Sequence, residues 1–184
     1  KNITHVPKRP LEKILIINPF GIGDVLFTTP LIKRLRQQFK GSRIAFICNS
    51  RVAPMLAGNK NIDEVFVFDK GDYRALWHKN KFECIKQFVS LFKKIRSRKF
   101  DSVIDLSLGH QYAFFLMLMG VPMRMGYDYK GRGRFLTHKL AIEGFNDKHI
   151  VEYHLVLLNL LHIVETPHWG VSTSHNDNRL EIFI

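Results

Sequence analysis

Gly21, Gly23 and Asp24 stand together between an apolar run and an amphipathic one, in the stretch ILIINPFGIGDVLFTTPLIKRL from Ile14 to Leu35. A strand, a glycine turn and a helix in that order often cradle a nucleotide phosphate. Here the pattern departs from both phosphate fingerprints. The third glycine of a dinucleotide turn would fall at position 26, which is Leu26, and no Gly-Lys followed by Ser or Thr is present. A carboxylate ~4 Å from a phosphate charge also costs about 4 kcal/mol at a surface-like dielectric, and helix-end amides offset only part of that. In the first turn of a helix, a carboxylate is stabilised by the dipole and by unpaired N–H groups. Held there, Asp24 can accept a proton from a hydroxyl, or it can be a simple N-cap. Spacing alone leaves both open.

Other side chains able to bind anions follow. KGRGRF carries Lys130, Arg132 and Arg134 on a glycine-rich segment that reads as a mobile loop, and guanidinium forks suit phosphate and carboxylate. Arg51 lies just after the second apolar run. Lys93, Lys94, Arg96, Arg98 and Lys99 crowd the end of a helix, as a solvated face or as a contact for anionic lipid headgroups. His110 follows the fourth strand, His149 opens the last helix, and Asp105, inside the fourth strand, is placed to orient the loop after it. No His, Cys or Asp cluster has metal-ligand spacing. Cys48 and Cys84 form no CxxC pair and sit in apolar patterns, which suits core positions and a reducing cytosol.

Five apolar runs read as strands: Lys13 to Asn18, Arg43 to Asn49, Glu64 to Asp69, Ser102 to Leu108 and, more weakly, Met123 to Asp128. Runs apolar on both faces fit a parallel sheet covered by helices. Leu31, Leu35 and Phe39 mark a helix after the glycine turn, interrupted by Pro30, where a bent or loosened first turn is expected. Phe82, Ile85, Phe88, Val89, Phe92 and Ile95 mark one apolar stripe of a second helix. QYAFFLMLMG reads as a buried helix ending at Gly120, with Pro122 as a stop, and HIVEYHLVLLNLLHI as another. Strands alternating with helices give an α/β, doubly wound, mainly parallel Rossmann-like sheet, whose ligands collect at the carboxyl ends of the strands.

Of 184 residues, 28 are Lys or Arg and 16 are Asp or Glu, a net charge of +12. That balance calls for an anionic partner: nucleic acid, an acidic membrane face or a phosphorylated substrate. The start, KNITHVPKRPLEK, reads as a basic lead-in with no apolar core of a signal sequence. The longest apolar run, Tyr112 to Val121, is too short to span a bilayer, so a membrane contact would be peripheral. Aromatic residues fall mainly on apolar helix stripes, which argues against a basic nucleic-acid-binding α/β module. The polar stretch Thr166 to Arg179 reads as a linker and LEIFI as the start of another unit.

The ordered set of motifs resembles the opening half of glycosyltransferase family 9, the ADP-heptose:lipopolysaccharide heptosyltransferases. The glycine turn ends in Gly-Asp, an apolar pair, Thr and Pro. SRIAFICNSRVAPMLAGNKNIDEVFVFD matches the next two strands and the Ala-Pro helix between them. FDSVIDLSLGHQYAFF matches the fourth strand and its loop, RMGYDYKGRGRFLTHKL the Gly-Tyr/basic segment, and HIVEYHLVLLNLL the His-anchored helix. Together they run from about Lys13 to about Ile163. Asn18-Pro19-Phe20 replaces the small polar residues often seen before that turn.

The resemblance implies the N-terminal half of a GT-B enzyme. Residues 1–165 would form the acceptor-binding domain, and residues 166–184 a linker and the start of a donor-binding domain. It implies inverting transfer of heptose from an ADP-sugar substrate to the lipopolysaccharide inner core, with neither metal nor cofactor, and Asp24 as general base. Gly23, Arg51, His110, Lys130, Arg132, Arg134 and His149 would line the anionic lipid A–core acceptor. ADP-heptose would bind through the C-terminal domain. The expected setting is cytoplasmic, at the inner face of a bacterial inner membrane, with no nucleic-acid partner. The rival within the family is transfer to another glycan.

Overall fold

The computed structural model describes residues 11–162. Its strands are β1 (Lys13–Ile17), β2 (Arg43–Cys48), β3 (Glu64–Val67), β4 (Ser102–Asp105), β5 (Met123–Tyr129) and β6 (His138–Ile142). They form one sheet in the order β3-β2-β1-β4-β5-β6, and every neighbouring pair is parallel. The helices are α1 (Ile22–Gln38), α2 (Ala53–Leu56), α3 (Lys70–Lys79), α4 (Lys81–Ser97), α5 (His110–Leu118) and α6 (Ile150–His162). The five expected strands are present, with ends that differ by a residue or a few from the apolar runs. The expected boundary at 165 and the stretch 166–184 lie outside the described residues.

Alternation along β1 splits the core in two. Ile14 and Ile16 point to one face, where Leu31, Ile32 and Leu35 of α1 meet Leu157, Leu158 and Leu161 of α6. Leu15 and Ile17 point to the other, against Ile95 of α4 and Leu116 of α5. Both faces being covered explains why the strands read as continuous apolar runs. The chain leaves β1 toward β2 and β3, then returns to β4 on the other side of β1. The loops after β1 and β4 therefore diverge at a topological switch point, where α/β sheets place ligands.

Three readings change. α1 runs unbroken through Pro30. The stripe assigned to α4 splits: of its members Ile95 is buried and Phe88 and Phe92 are half-buried, whereas Phe82, Ile85 and Val89 are exposed at 79%, 51% and 41%; Cys84, outside that stripe, is buried. In α5 only Ala113 and Leu116 are buried, and Phe114, Phe115, Met117 and Leu118 reach the surface. The stop at Gly120 holds: it takes φ +80°, and the Val121 N–H returns to the Leu116 carbonyl at 3.0 Å. Helix α3 and strand β6 had no expectation. The first buries no residue, and the second is a half-exposed edge.

Candidate functional site

Gly21, not Asp24, is the N-cap of α1. Asp24 is the third residue of the helix, exposed at its mouth, and among the described residues its carboxylate makes no hydrogen bond or ion pair. The capping alternative is therefore not what the geometry adopts. The turn before it is held by Asn18, the residue after β1. Its amide donates to the Thr28 hydroxyl at 2.8 Å and to the Asp24 carbonyl at 3.2 Å, while its oxygen accepts from the Phe20 N–H at 3.1 Å. Asn18 and Thr28 are buried, so these bonds are made away from water. Asn49, after β2, donates to the Phe20 carbonyl at 2.7 Å and fixes the outer side of the same turn.

Gly23 is followed by open space: a methyl there would meet nothing within 4 Å, and its φ is not positive. Neither packing nor backbone geometry demands a glycine. His149, just before α6, sets its ring edge-on to Phe27 of α1 at 4.9 Å, and its Nδ1 accepts from the Val151 N–H at 3.3 Å. It thus anchors α6 beside the helix that carries Asp24. Deeper in α6, His154 shares a 2.9 Å hydrogen bond with Tyr127. Burial pushes His154 down to about 4, against a smaller opposing pull from the Asp24 charge.

Across the switch point the residues differ in character. Asp105, at the end of β4, is buried. One oxygen accepts from the Ser107 N–H at 2.9 Å, and the other has no partner among the described residues. Burial pushes its carboxyl up to about 6, opposed by the Ser107 hydrogen bond, the nearby Ala113 N–H and the Lys70 charge. Tyr112, also without a hydroxyl partner among the described residues, carries the Lys70 ammonium 5.0 Å above its ring. Lys70 in turn donates to Gln111 at 3.0 Å. Beside them Arg51 is exposed. Burial pushes the Asp69 carboxyl up, but the Gly71 and Asp72 N–H groups, the Ser50 hydroxyl and the Arg51 charge outweigh it and hold it below the usual range. Asp105 thus orients the loop after β4, as expected of it.

The basic segment is tied back to the end of β5 and to β6. Asp128 accepts from the Gly133 N–H at 2.8 Å and pairs with Lys139 at 2.6 Å. Lys130 and Arg132 lie over the Tyr129 ring at 5.1 and 5.8 Å, and Arg134 over Phe135 at 4.6 Å. His110, the first residue of α5, faces Phe135 at 6.5 Å, so Arg134 and His110 share one ring. Among the described residues no hydrogen bond joins Lys130, Arg132 or Arg134 to Asp24. The structure therefore groups Gly23, Asp24 and His149 at α1, Arg51 with Asp69, and His110 with Arg134. Asn18, Thr28, Asp69, Lys70 and Tyr112 were missed. Only Asn18, a polar residue ending an apolar run before a glycine turn, left a trace in the sequence.

The two buried titrating groups oppose each other with pH. Asp105 takes up a proton more readily folded than unfolded, so its contribution is lost as pH rises from about 4 to about 6. His154 resists protonation when folded, so its contribution grows as pH rises through much the same window. Asp105→Asn removes the first. Its benefit over wild type is expected to be larger at pH 7 than at pH 4 by roughly 3 kcal/mol at most, the equivalent of a shift of about two pH units. Urea unfolding at both pH values checks this. An equal change at both would mean that Asp105 is not desolvated.

A cavity of about 380 Å³, lined by Arg96, Ser97, Lys99, Phe100, Met119, Gly120 and Val121, lies at the opposite end of the sheet. It abuts the residues that lead into β4 and β5 and is remote from the glycine turn.

The family model described as glycosyltransferase family 9 (heptosyltransferase) matches residues 88–181. A lipopolysaccharide heptosyltransferase 3 of Escherichia coli K12 is 30% identical over 151 residues, which cover 78% of this chain and 40% of the relative. Among solved structures, E. coli heptosyltransferase WaaC with ADP-2-deoxy-2-fluoro heptose superposes with a TM-score of 0.70 at 18% identity, over 86% of this chain and 50% of that one. A family 9 glycosyl transferase from Veillonella parvula DSM 2008 gives 0.68 at 20% identity, over 88% and 44%. The chain thus spans less than half the length of the curated relative, and it belongs to glycosyltransferase family 9, the heptosyltransferase family.

Proposed function

We propose that this chain is the acceptor-binding part of an enzyme that transfers heptose from ADP-heptose to the inner core of lipopolysaccharide, with Asp24 as general base. The observation that carries this is the exposed, unbonded carboxylate of Asp24 in a turn capped by Gly21 and open above Gly23. An acceptor hydroxyl would give its proton to Asp24 as its oxygen bonds to the anomeric carbon. The bond from that carbon to the ADP oxygen breaks on the opposite side, so the configuration inverts. No metal or cofactor is required by these steps. Residues 1–165 form the acceptor domain in this reading, and residues 166–184 lead into the part that binds ADP-heptose.

Arg51, His110, Lys130, Arg132, Arg134 and His149 would meet the phosphates and carboxylates of the acceptor. The Arg132 and Arg134 guanidinium groups lie over Tyr129 and Phe135, and among the described residues their N–H groups make no hydrogen bond, which leaves them for an anion. No helix among the described residues is long and apolar enough to cross a membrane. With the net charge of +12, that suits a peripheral contact with anionic lipid at the cytoplasmic face of an inner membrane.

The test is transfer by the full-length protein from ADP-heptose to a phosphorylated inner-core acceptor, with the anomeric configuration of the product assigned by NMR. Transfer only to an unrelated glycan would overturn the acceptor. Arg132→Ala with Arg134→Ala is expected to weaken the phosphorylated acceptor by roughly tenfold or more per charge-assisted bond lost. Its salt dependence should flatten, and a dephosphorylated acceptor should lose less. Equal losses for both acceptors would assign the loop a folding role.

A further inference from the structure

The apolar side chains that α4 leaves uncovered are not scattered. Phe82, Ile85 and Val89 stand three and four residues apart, so they share one stripe along the helix. Lys86, Lys93 and Arg96 fall on the same stripe by the same spacing. This stripe lies roughly a third of a turn around the helix from the buried Cys84 and Ile95, as the 3.6-residue period requires. Helix α5 touches α4 through Phe88 and Phe115 at 5.4 Å between ring centroids, and its own Phe115 and Leu118 are also exposed.

Charge is concentrated here as well. Between Lys70 and Lys99 there are ten Lys or Arg and two Asp or Glu, a net +8 out of the whole chain's +12. Of these, Arg98 is committed to Glu64 through two bonds of 2.8 Å. Lys86 reaches Glu83 only at 3.8 Å and stays largely exposed, and Lys93 and Arg96 have no acidic partner among the described residues. At the lower end of the stripe Arg96 also lines, with Lys99, the cavity between the ends of α4 and α5.

An apolar stripe interleaved with weakly paired cations suits neither a dry protein core nor a freely solvated face. A protein partner would have to be both apolar and strongly acidic. An anionic bilayer offers both properties at one surface, with acyl chains for Phe82, Ile85 and Val89 and headgroup phosphates for Lys86, Lys93 and Arg96.

We propose that the α4/α5 face docks on anionic lipid bilayers, with the exposed stripe of α4 seated at the headgroup boundary. This deepens the membrane contact proposed above by giving it a surface, and it does not depend on the transferase reading.

The test is flotation of the full-length protein with vesicles of phosphatidylcholine, with and without phosphatidylglycerol. Flotation is expected only with phosphatidylglycerol and should fall steeply between about 0.1 and 0.5 M salt. Two variants keep the outcome readable. Phe82→Ser with Ile85→Ser and Val89→Ser removes the apolar part and should weaken binding by about tenfold or more. Lys86→Glu with Lys93→Glu and Arg96→Glu removes the charge and should weaken it by about a hundredfold or more. In both, transfer to a soluble, delipidated acceptor should persist, which separates this proposal from the transferase reading. Flotation unchanged in either folded variant overturns the proposal. So does a dimer in sedimentation velocity that the serine variant dissociates, since a second copy would then cover the face. Salt-sensitive binding of unrelated RNA without flotation would also overturn it.

Discussion

Asp24→Asn is expected to lower turnover of the full-length enzyme by ~10²–10⁴-fold, the range for a lost general base. The KM for acceptor and the melting temperature should change little. The reasons lie in what Asp24 does and does not touch. Its backbone carbonyl accepts from Thr28 and Asn18, and those bonds survive the substitution. Its carboxylate supports no hydrogen bond among the described residues, so an amide of the same shape leaves the turn intact. What changes is the capacity to take a proton. A purely electrostatic or capping role predicts a different pattern, in which stability falls and turnover holds. Asn18→Ala makes the complementary case. It deletes three hydrogen bonds that define the turn, so stability and turnover should fall together. Near wild-type turnover in a well-folded Asp24→Asn enzyme would remove Asp24 from the mechanism.

The alternation of apolar runs with amphipathic ones was enough to read the sheet, because strands buried on both faces leave a signal that tolerates errors at their ends. The edge was harder. In β6, His138 and Lys139 break the apolar run, and the strand is half exposed, so little in HKLAI separates it from a loop. Helix α4 failed for a different reason. Phe82, Ile85 and Val89 obey the same three-and-four spacing as Cys84, Phe88, Leu91 and Ile95. Periodicity identifies a helix with two apolar stripes but not which of them meets the sheet; that is decided by the connections to β3 and β4. At the site, the placement of Asp24 in the first turn of a helix was legible, because an apolar run, a glycine turn and an amphipathic run stand in that order. The burial of Asp105 was not, since it arises only when α5 closes over the end of β4.

Gly126→Ala is expected to destabilise the protein by about 3 kcal/mol or more, at the upper end of overpacking costs. Gly126 lies inside β5, opposite Asp105 of β4. A Cβ there would crowd the Asp105 backbone carbonyl oxygen far inside contact distance and come within 3.2 Å of Leu136. The side chain could move aside, but the carbonyl belongs to the strand and cannot shift without opening the β4–β5 pairing. The same displacement would disturb Asp105 and the loop that begins α5, so damage to the fold and to the site should appear together. Gly23→Ala is the counterpart. Nothing lies within 4 Å of its added methyl, and alanine is favoured over glycine within a helix by roughly 0.5–1 kcal/mol. That variant should hold or gain stability in urea unfolding while binding acceptor more weakly. A loss of stability at Gly23 matching that at Gly126 would mean that its glycine serves the fold, and the space above the turn would lose its claim to be a substrate site.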